Sequence, residues 1–187
     1  MTGHHPHGPP ARSGFGLPPI RLDGDPVLRT PTEPVVTFDE GLHHLVETMF
    51  TVMYAAGGVG LAANQIGVAR SVFVMDCAGT RAVVVNPVLD LREVPMVVQP
   101  EGCLSVPGRH YPTARASRTS VTGLDHHQRP VRPVGEGLVA RCLQHEVDHL
   151  RGHLFLDRLD PTTRRQARAD VTGDQRAPRS AGNPTSR

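Results

Sequence analysis

Hydrophobic residues recur at the spacing of an amphipathic helix in residues 37–56, where apolar positions return every three or four residues. These positions are Leu42, Leu45, Val46, Met49, Phe50 and Met53. Thr37 and Glu40 match the spacing of a capping box, and Gly57 and Gly58 mark the end of the pattern. The pattern predicts a helix that packs one face against the core.

Short runs of β-branched and apolar residues follow this helix, and they predict strands. The predicted strands cover residues 71–75, 82–85, 96–98, 115–124 and 131–134. Segment 76–81 is polar and contains a glycine, which predicts a hairpin link between the first two strands, and Asn86-Pro87 predicts the end of the second. Strands joined by so short a link pair in antiparallel fashion.

Residues 138–150 contain neither proline nor glycine, and they predict a further helix. Within it, His145, Glu146 and His149 form the pattern H-E-x-x-H. Residues four apart share one face of a helix, so the two histidines can bind one metal ion while Glu146 reaches a water beside it. This arrangement favours metal-assisted hydrolysis. The alternative is a helix with two ordinary hydrogen-bonded histidines, since a chain with 11 histidines contains such pairs by chance.

Cys103 lies in a segment bounded by two prolines, which predicts extended or irregular backbone. As a thiolate it can supply a third ligand to the ion that His145 and His149 would bind. Two histidines and one cysteine leave a fourth tetrahedral position open, as in catalytic zinc sites. Two alternatives stay open: Cys103 can be a small buried hydrophobe, and Cys142 can compete as the ligand because it shares the helical stripe of His145.

Residues 58–67 are rich in small side chains, which let a backbone approach a ligand closely. The stretch lacks the third glycine of a dinucleotide-binding fingerprint, because Ala63 stands there, and it lacks the Gly-Lys-Ser/Thr of a phosphate-binding loop. Gln65 is the residue of this stretch best suited to a catalytic role, since its side-chain NH2 can donate to a developing oxyanion. Taken alone, the stretch favours a tight turn between helix and strand.

The chain length of 187 residues predicts one domain with tails. We predict a disordered N-terminal tail over 1–18, a metal-dependent domain over 19–172 and a disordered C-terminal tail over 173–187. The net charge of +2 is too small to indicate nucleic-acid binding, and no apolar run is long enough to span a membrane. Three cysteines form no disulfide framework, which favours a reducing, intracellular compartment, and the N-terminus lacks a signal-peptide pattern.

A last helix is predicted from Asp160-Pro161 to about Val171, because aspartate is a good N-cap and proline a good first helical residue. Its basic residues are Arg164, Arg165 and Arg168. A cluster of this size is usually a solvated face, and docking to the ribosome or to RNA is the alternative interpretation.

Three segments together resemble the signature motifs of the bacterial peptide deformylase family. They are Gly58-Val59-Gly60-Leu61-Ala62-Ala63-Asn64-Gln65, Glu101-Gly102-Cys103-Leu104-Ser105 and Gln144-His145-Glu146-Val147-Asp148-His149-Leu150. Their order and spacing also fit, and the resemblance extends over residues 17–169. It implies an α+β fold in which antiparallel strands pack around a central helix that carries H-E-x-x-H.

The resemblance also implies catalytic roles for matched residues. The implied metal ligands are Cys103, His145 and His149. They would bind ferrous iron, which nickel, cobalt or zinc can replace. Glu146 would be the general acid and base, and Gln65 would stabilise the oxyanion together with the backbone N–H of Leu104.

Four further positions are expected at the substrate. Val59, Gly60 and Arg115 fall where the family contacts its peptide. Arg141, four residues before His145, stands where some members have an aliphatic residue. Its stem would line the methionine pocket with its charge reaching water, or its guanidinium would meet substrate carbonyls or a carboxylate. A second departure, Asn64 in place of a common proline, is expected to have little effect.

The implied activity is removal of formate from N-formyl-methionyl chains as they leave the ribosome. The expected partners are nascent peptides, with transient ribosome docking, in the cytoplasm, and with no membrane or specific nucleic acid. A zincin-type endopeptidase shares H-E-x-x-H, but its third ligand usually lies downstream as His or Glu. A metal-stabilised binding module is the non-catalytic alternative, and such a module has no need of Glu146.

Overall fold

The computed structural model describes residues 16–91 and 94–176. These ranges contain three α-helices and eight strands. The helices are α1 (Glu40–Ala55), α2 (Gly137–Leu150) and α3 (Pro161–Arg176). The strands are β1 (Gly60–Ala62), β2 (Val72–Cys77), β3 (Thr80–Asp90), β4 (Met96–Cys103), β5 (Val106–Ala116), β6 (Arg118–Leu124), β7 (Pro130–Val131) and β8 (Val134–Glu136). Short 3-10 helices span Pro26–Arg29, Ala63–Ile66 and Phe155–Arg158.

Six of the strands form one antiparallel sheet. Its order is β1-β2-β3-β6-β7, and β8 also pairs with β6. β4 and β5 form a separate antiparallel ribbon. This combination of helices with antiparallel sheet confirms that part of the predicted fold.

Both faces of the larger sheet are covered by a helix. In β2, Val72 and Val74 belong to the apolar cluster that α1 forms, whereas Phe73 and Met75 belong to the cluster that α2 forms. Successive side chains of a strand point to opposite faces, so a strand covered on both sides must be apolar at every position. This explains the unbroken run Val-Phe-Val-Met and places α2 against the face opposite α1.

The start of α1 differs from the predicted capping box. Asp39 is the N-cap, and its Oδ1 accepts the backbone N–H of Leu42 at 3.0 Å. The helix therefore begins at Glu40, three residues after the start near Thr37 that the capping-box spacing predicted. A short aspartate side chain at the entry satisfies a backbone donor that the first turn cannot, which is why it fixes the start of the helix.

β3 does not end at Asn86-Pro87 as predicted, but continues to Asp90 past an irregularity in its pairing with β6. Asn86 has a positive φ of 53° there, and its side-chain amide makes two hydrogen bonds of 2.8 Å with the backbone of Val35. A bulge places the proline where no ladder hydrogen bond is needed. The strand therefore survives a residue that normally ends one.

The strand predicted at 115–124 is two strands in two different sheets. β5 ends at Ala116 and β6 begins at Arg118, so Ser117 is the corner between the ribbon and the larger sheet. The hairpin link between β2 and β3 is also shorter than predicted. It is a two-residue turn at Ala78 and Gly79, both with positive φ, which matches the twist of the flanking strands.

α3 begins at Pro161 as predicted, and Asp160 caps it by accepting the backbone N–H groups of Thr162 and Thr163. The helix runs to Arg176, beyond the predicted end near Val171. Apart from residues 16–18 and 173–176, the two predicted tails lie outside the described residues. In the part of the chain that the structure describes, no helix is both long enough and apolar enough to cross a bilayer.

Candidate metal centre

Three side chains with metal-binding atoms meet where β4 ends against α2. Cys103 is the last residue of β4, and His145 and His149 lie one turn apart on α2. Nε2 of His149 is 3.2 Å from Sγ of Cys103 and 3.2 Å from Nε2 of His145. Among the described residues, this is the one group of three such side chains whose ligand atoms all lie within 4.8 Å of one another. The competing candidate Cys142 is not in it.

The chemistry of the donor set suits a metal ion. One thiol and two imidazoles are the ligands that zinc and ferrous iron accept in proteins. Burial and the neighbouring His145 lower the pKa of His149, which keeps its ring in the neutral form that metals require. The adjacent Glu146 presents a buried Oε2 with no hydrogen-bond partner among the described residues. A buried oxygen of this kind is expected where a bound ion or its water completes the site.

Glu101 holds one of the candidate ligands in position. Its Oε1 lies 2.7 Å from Nδ1 of His145, so the other ring nitrogen of His145 points at the cluster. Arg115 donates to both oxygens of Glu101, at 2.6 and 3.0 Å, and Arg141 donates to Oε2 at 2.6 Å. Burial opposes the charge, but hydrogen bonds from His145 and Arg115 hold the pKa of Glu101 well below its usual range. The carboxylate therefore remains ionised and orients the imidazole.

The ion network continues behind the helix. Asp148 on α2 accepts hydrogen bonds from Arg115 at 2.6 Å and from Arg158 at 2.5 and 3.0 Å. Asp148 and Arg115 are both buried, and each buried charge in this network has a partner of opposite sign. The network fixes β4, β5 and α2 against one another at the metal centre, because removing one member would leave a buried charge uncompensated.

We predict that Glu101→Gln weakens metal binding by about 10–100-fold, the usual effect of removing a carboxylate that orients a ligating histidine. The amide cannot balance Arg115 and Arg141, so the thermal midpoint is expected to fall as well. Competition against a chromogenic chelator measures the affinity, and Glu136→Gln is the matched control because Glu136 forms an exposed pair with Arg118. Equal metal affinity in Glu101→Gln and the control would contradict the orienting role.

Glu146 lies on the buried face of α2, directly under β1. It is 3% exposed, and burial raises the pKa of Glu146 to about 7. A Cβ placed on Gly60 would lie 2.3 Å from Oε1 of Glu146 and 2.8 Å from Sγ of Cys142. Only glycine fits at this position, so the absence of a side chain lets the β1 backbone lie directly over the acid.

The amide of Gln65 has a fixed orientation. Its Oε1 accepts the backbone N–H of Ala62 at 2.9 Å, and its Nε2 donates to Oγ of Ser105 at 3.2 Å and lies 3.7 Å from Sγ of Cys103. The hydrogen bond from the backbone N–H of Ala62 identifies the oxygen end of the amide, so the NH2 group faces the candidate metal centre. Leu104 follows Cys103 and lines the same cavity.

A cavity of about 480 Å³ opens over this centre. The predicted site residues on its wall are Val59, Gly60, Gln65, Cys103, Leu104, Arg141, His145 and Glu146. Arg115 does not line it, because its guanidinium is bonded to Glu101 and Asp148. Arg141 lines it with its charge buried against Glu101, so of the two expected arrangements the guanidinium meets a carboxylate and does not reach water.

Sequence reasoning missed several residues that hold the site together. Glu101 and Asp148 received no predicted role, although each lies within a motif that also contains a ligand. Gln144 bonds both backbone groups of Ala116 at 3.0 Å and so ties α2 to the end of β5. Asn64, which was expected to have little effect, is fully buried and donates to the carbonyl of His149 at 2.5 Å. The sequence signal that could have identified such residues is a polar residue inside an otherwise apolar segment.

A buried acid beside one thiol and two imidazoles, at the floor of an open cavity in a helix-and-antiparallel-sheet fold, is the arrangement of a metal-dependent hydrolase. Residues 17–165 match the family described as polypeptide deformylase. The chain is 54% identical to a peptide deformylase of Mycolicibacterium smegmatis, a match that covers 75% of this chain and 80% of the relative. It is 53% identical to one of Acidothermus cellulolyticus, covering 80% and 82%.

The fold is similar to that of solved structures with the same name. The peptide deformylase of Legionella pneumophila superposes with a TM-score of 0.80 at 43% identity, covering 86% of this chain and 96% of that one. The peptide deformylase from Thermus thermophilus gives 0.77 at 43% identity, covering 84% and 96%. The chain belongs to the polypeptide deformylase family, metal-dependent hydrolases that remove the formyl group from the N-terminal methionine of nascent polypeptides. The predicted family and activity are confirmed.

Proposed function

We propose that this chain carries out deformylation at Cys103, His145 and His149, with α2 as the central helix that brings H-E-x-x-H to the reaction. The observation that supports this most directly is the mutual approach of the three ligand atoms beside the unpartnered Oε2 of Glu146. Ferrous iron is the proposed native ion, with nickel, cobalt or zinc as replacements, because all four accept thiolate and imidazole ligands. When bound, such an ion supplies a Lewis acid that lowers the pKa of water.

Glu146 is the proposed general acid and base. Its Oε2 makes no hydrogen bond within the described residues, so the carboxylate can take the proton of the attacking water without breaking a structural contact. The same oxygen can then return the proton to the leaving amine. A pKa near 7 suits both directions of transfer in the protein without its ion, and burial is the main cause of that value.

Gln65 and the backbone N–H of Leu104 are the proposed oxyanion donors. The Gln65 amide is held by Ala62 and Ser105 before any substrate arrives, so little reorganisation is needed when negative charge develops on the formyl oxygen. Leu104 directly follows Cys103, so a donor at this residue acts close to the ligand cluster. Both groups lie on the cavity wall.

The peptide backbone is proposed to lie along Val59 and Gly60 at the cavity edge. Val59 is 43% exposed, and the space that Gly60 leaves open brings this backbone close to Glu146. Arg141 is proposed to contribute its aliphatic stem to the wall beside the methionine side chain, because its guanidinium is bonded to Glu101. Arg115 is proposed to act on the substrate only indirectly, by holding Glu101 and Asp148.

Formate release from a formyl-Met tripeptide tests the proposed activity and its ion together. We expect anaerobically prepared protein loaded with iron, nickel, cobalt or zinc to turn over, and metal-stripped protein to lose activity and regain it on reloading. Coupled formate detection measures the rate, and elemental analysis measures the metal. An absence of turnover at full metal occupancy would refute the proposal, as would unchanged turnover after verified stripping.

Transient ribosome docking is proposed for α3, whose exposed face presents Arg165 and Arg168. Arg164 is half-buried and donates to the carbonyls of Asp157 and Leu159, so it belongs to the fold and not to this face. A location in the cytoplasm is proposed with it, because nascent chains and reduced cysteines such as Cys77 both occur there.

Charge reversal tests the docking face. We expect Arg165→Glu with Arg168→Glu to weaken sedimentation with ribosomes several-fold at low salt, with peptide turnover unchanged, because surface charges act mainly on association. Arg70→Glu with Arg118→Glu changes the net charge equally and serves as the control. Equal loss in both double variants would show a general charge effect, and no loss in either would remove the docking proposal.

A further inference from the structure

The thiols of Cys77 and Cys142 lie against each other behind the cavity. Cys77 ends β2 and Cys142 lies on α2, and both belong to the apolar cluster between the sheet and this helix. They are 1% and 5% exposed. A hydrogen bond between the two thiols lowers the pKa of Cys77 and is the main reason why the pKa of Cys142 is raised. Neither residue has a role in the proposed reaction.

The backbone around Val59 independently places the Cys142 sulfur beside the segment of β2 that ends in Cys77. The carbonyl of Val59 accepts the backbone N–H of Asp76 at 2.9 Å, and Asp76 immediately precedes Cys77. The same carbonyl accepts the Cys142 thiol, with a sulfur-to-oxygen distance of 3.8 Å. The sulfur of Cys142 therefore lies where β1 and the end of β2 cross α2. It is also the atom that a Cβ on Gly60 would meet at 2.8 Å.

The two thiols differ in their access to solvent. Cys142 lines the cavity, whereas Cys77 is not among the lining residues and ends β2 beside the exposed turn at Ala78 and Gly79. The thiolate is the form of a cysteine that reacts with peroxide, so Cys77, whose pKa is lowered, is the thiol that is oxidised first, and Cys142 lies against it as the second thiol. A thiol of lowered pKa beside a second thiol is the usual arrangement of a disulfide-forming pair.

We propose that Cys77 and Cys142 form a redox-sensitive pair that hydrogen peroxide converts to a disulfide, lowering activity reversibly. Peroxide transfers one oxygen to the Cys77 sulfur, giving a sulfenic acid and releasing one water. The Cys142 sulfur then attacks the Cys77 sulfur, a sulfur–sulfur bond forms, and the hydroxyl group takes the proton of the Cys142 thiol and leaves as a second water. Two thiols are oxidised and one peroxide is reduced, so atoms and electrons balance.

Disulfide formation would alter the wall of the substrate cavity. The two sulfurs must come to about 2.05 Å, so the Cys142 thiol can no longer donate to Val59. Val59 and Gly60 form the proposed peptide-binding edge, so this consequence rests on the proposed function. Small displacements of groups that position a substrate can lower rates by up to about 100-fold, and we expect a loss of about tenfold in kcat/KM here. The cluster of Cys103, His145 and His149 is not consumed.

The test uses the full chain loaded with nickel and treated with one equivalent of hydrogen peroxide. Free thiols are then alkylated under denaturing conditions, and non-reducing peptide mapping identifies any joined peptides. We expect peptides containing Cys77 and Cys142 to be joined, with a mass two hydrogens below their sum. The loss of activity should follow the amount of this species, be reversed by dithiothreitol and leave nickel content unchanged.

Cys77→Ala is the matched variant, because Cys77 lies outside the proposed catalytic and binding residues. It should have normal turnover before treatment and should not show the dithiothreitol-reversible loss. Cys77→Ser gives a second test if alanine disturbs the buried cluster. Recovery of Cys77 and Cys142 as alkylated thiols after activity is lost would overturn the proposal and indicate Cys103 instead. The mapping does not depend on turnover, so a failure of the proposed function would be seen separately in untreated protein.

Discussion

Replacing Glu146 with glutamine is expected to lower kcat/KM for formyl-Met peptides by about 1,000-fold or more, within the range that general acid–base groups contribute. Glutamine has the same shape and cannot take a proton from water. Because Oε2 of Glu146 makes no hydrogen bond within the described residues, the change breaks no contact at that oxygen. The variant also removes the need to bury a charge, so its thermal midpoint is not expected to fall.

The decisive measurement is turnover together with metal content in the same Glu146→Gln preparation. Full occupancy with no turnover separates proton transfer from ion binding. Glu40→Gln makes the same chemical change at an exposed residue in the first turn of α1 and should behave as wild type. Turnover within a few-fold of wild type in Glu146→Gln would assign the proton transfer to another group.

Replacing Gln65 with leucine is expected to lower kcat by about 100–1,000-fold, the usual effect of removing one oxyanion donor. Leucine retains much of the buried volume but cannot donate. An interaction made only in the transition state should lower kcat and kcat/KM to the same extent. Steady-state kinetics on the nickel-loaded enzyme gives both values, and elemental analysis checks that the ion is retained.

Ser105→Ala is the control for this experiment. It removes the hydroxyl that Nε2 of Gln65 contacts at 3.2 Å but leaves the amide itself and its bond to Ala62. We expect at most a several-fold loss, because the amide remains oriented by the backbone. A Gln65→Leu variant with near-normal kcat would refute the assigned donor, and a pure rise in KM would indicate ground-state binding instead.

Local patterns identified α1, α2 and most strands because their signals lie within a few consecutive residues. The helical spacing from Leu42 to Met53 and the β-branched runs in β2 and β3 reflect which faces are buried, and burial is what these patterns report. The motifs around Cys103 and His145 were also local. The structure brings the three predicted ligands together, although Cys103 and His145 are 42 residues apart in the sequence.

The misplaced details depend on contacts that are distant in sequence. Asn86 permits β3 to continue because its amide bonds Val35, and no pattern near Asn86 contains that partner. Ser117 divides two strands because the chain passes from one sheet to the other there, although the alternation of apolar and polar residues hardly changes at this position. Arg115 was expected at the substrate, but its partners Glu101 and Asp148 come from β4 and α2. An exposed and an internally paired arginine have the same appearance in a sequence.

The separation of the three candidate ligands between β4 and α2 has a consequence for how the protein acquires its ion. In an unfolded chain the cysteine is separated from the two histidines by about 40 residues, so an ion held by all three binds the native state in preference to the unfolded chain. Its binding free energy then adds to the stability of the fold by mass action. Chelation should therefore speed hydrogen exchange in β4 and in the last turn of α2 more than in α1. The three-ligand site is complete only in a chain whose ribbon has docked against α2.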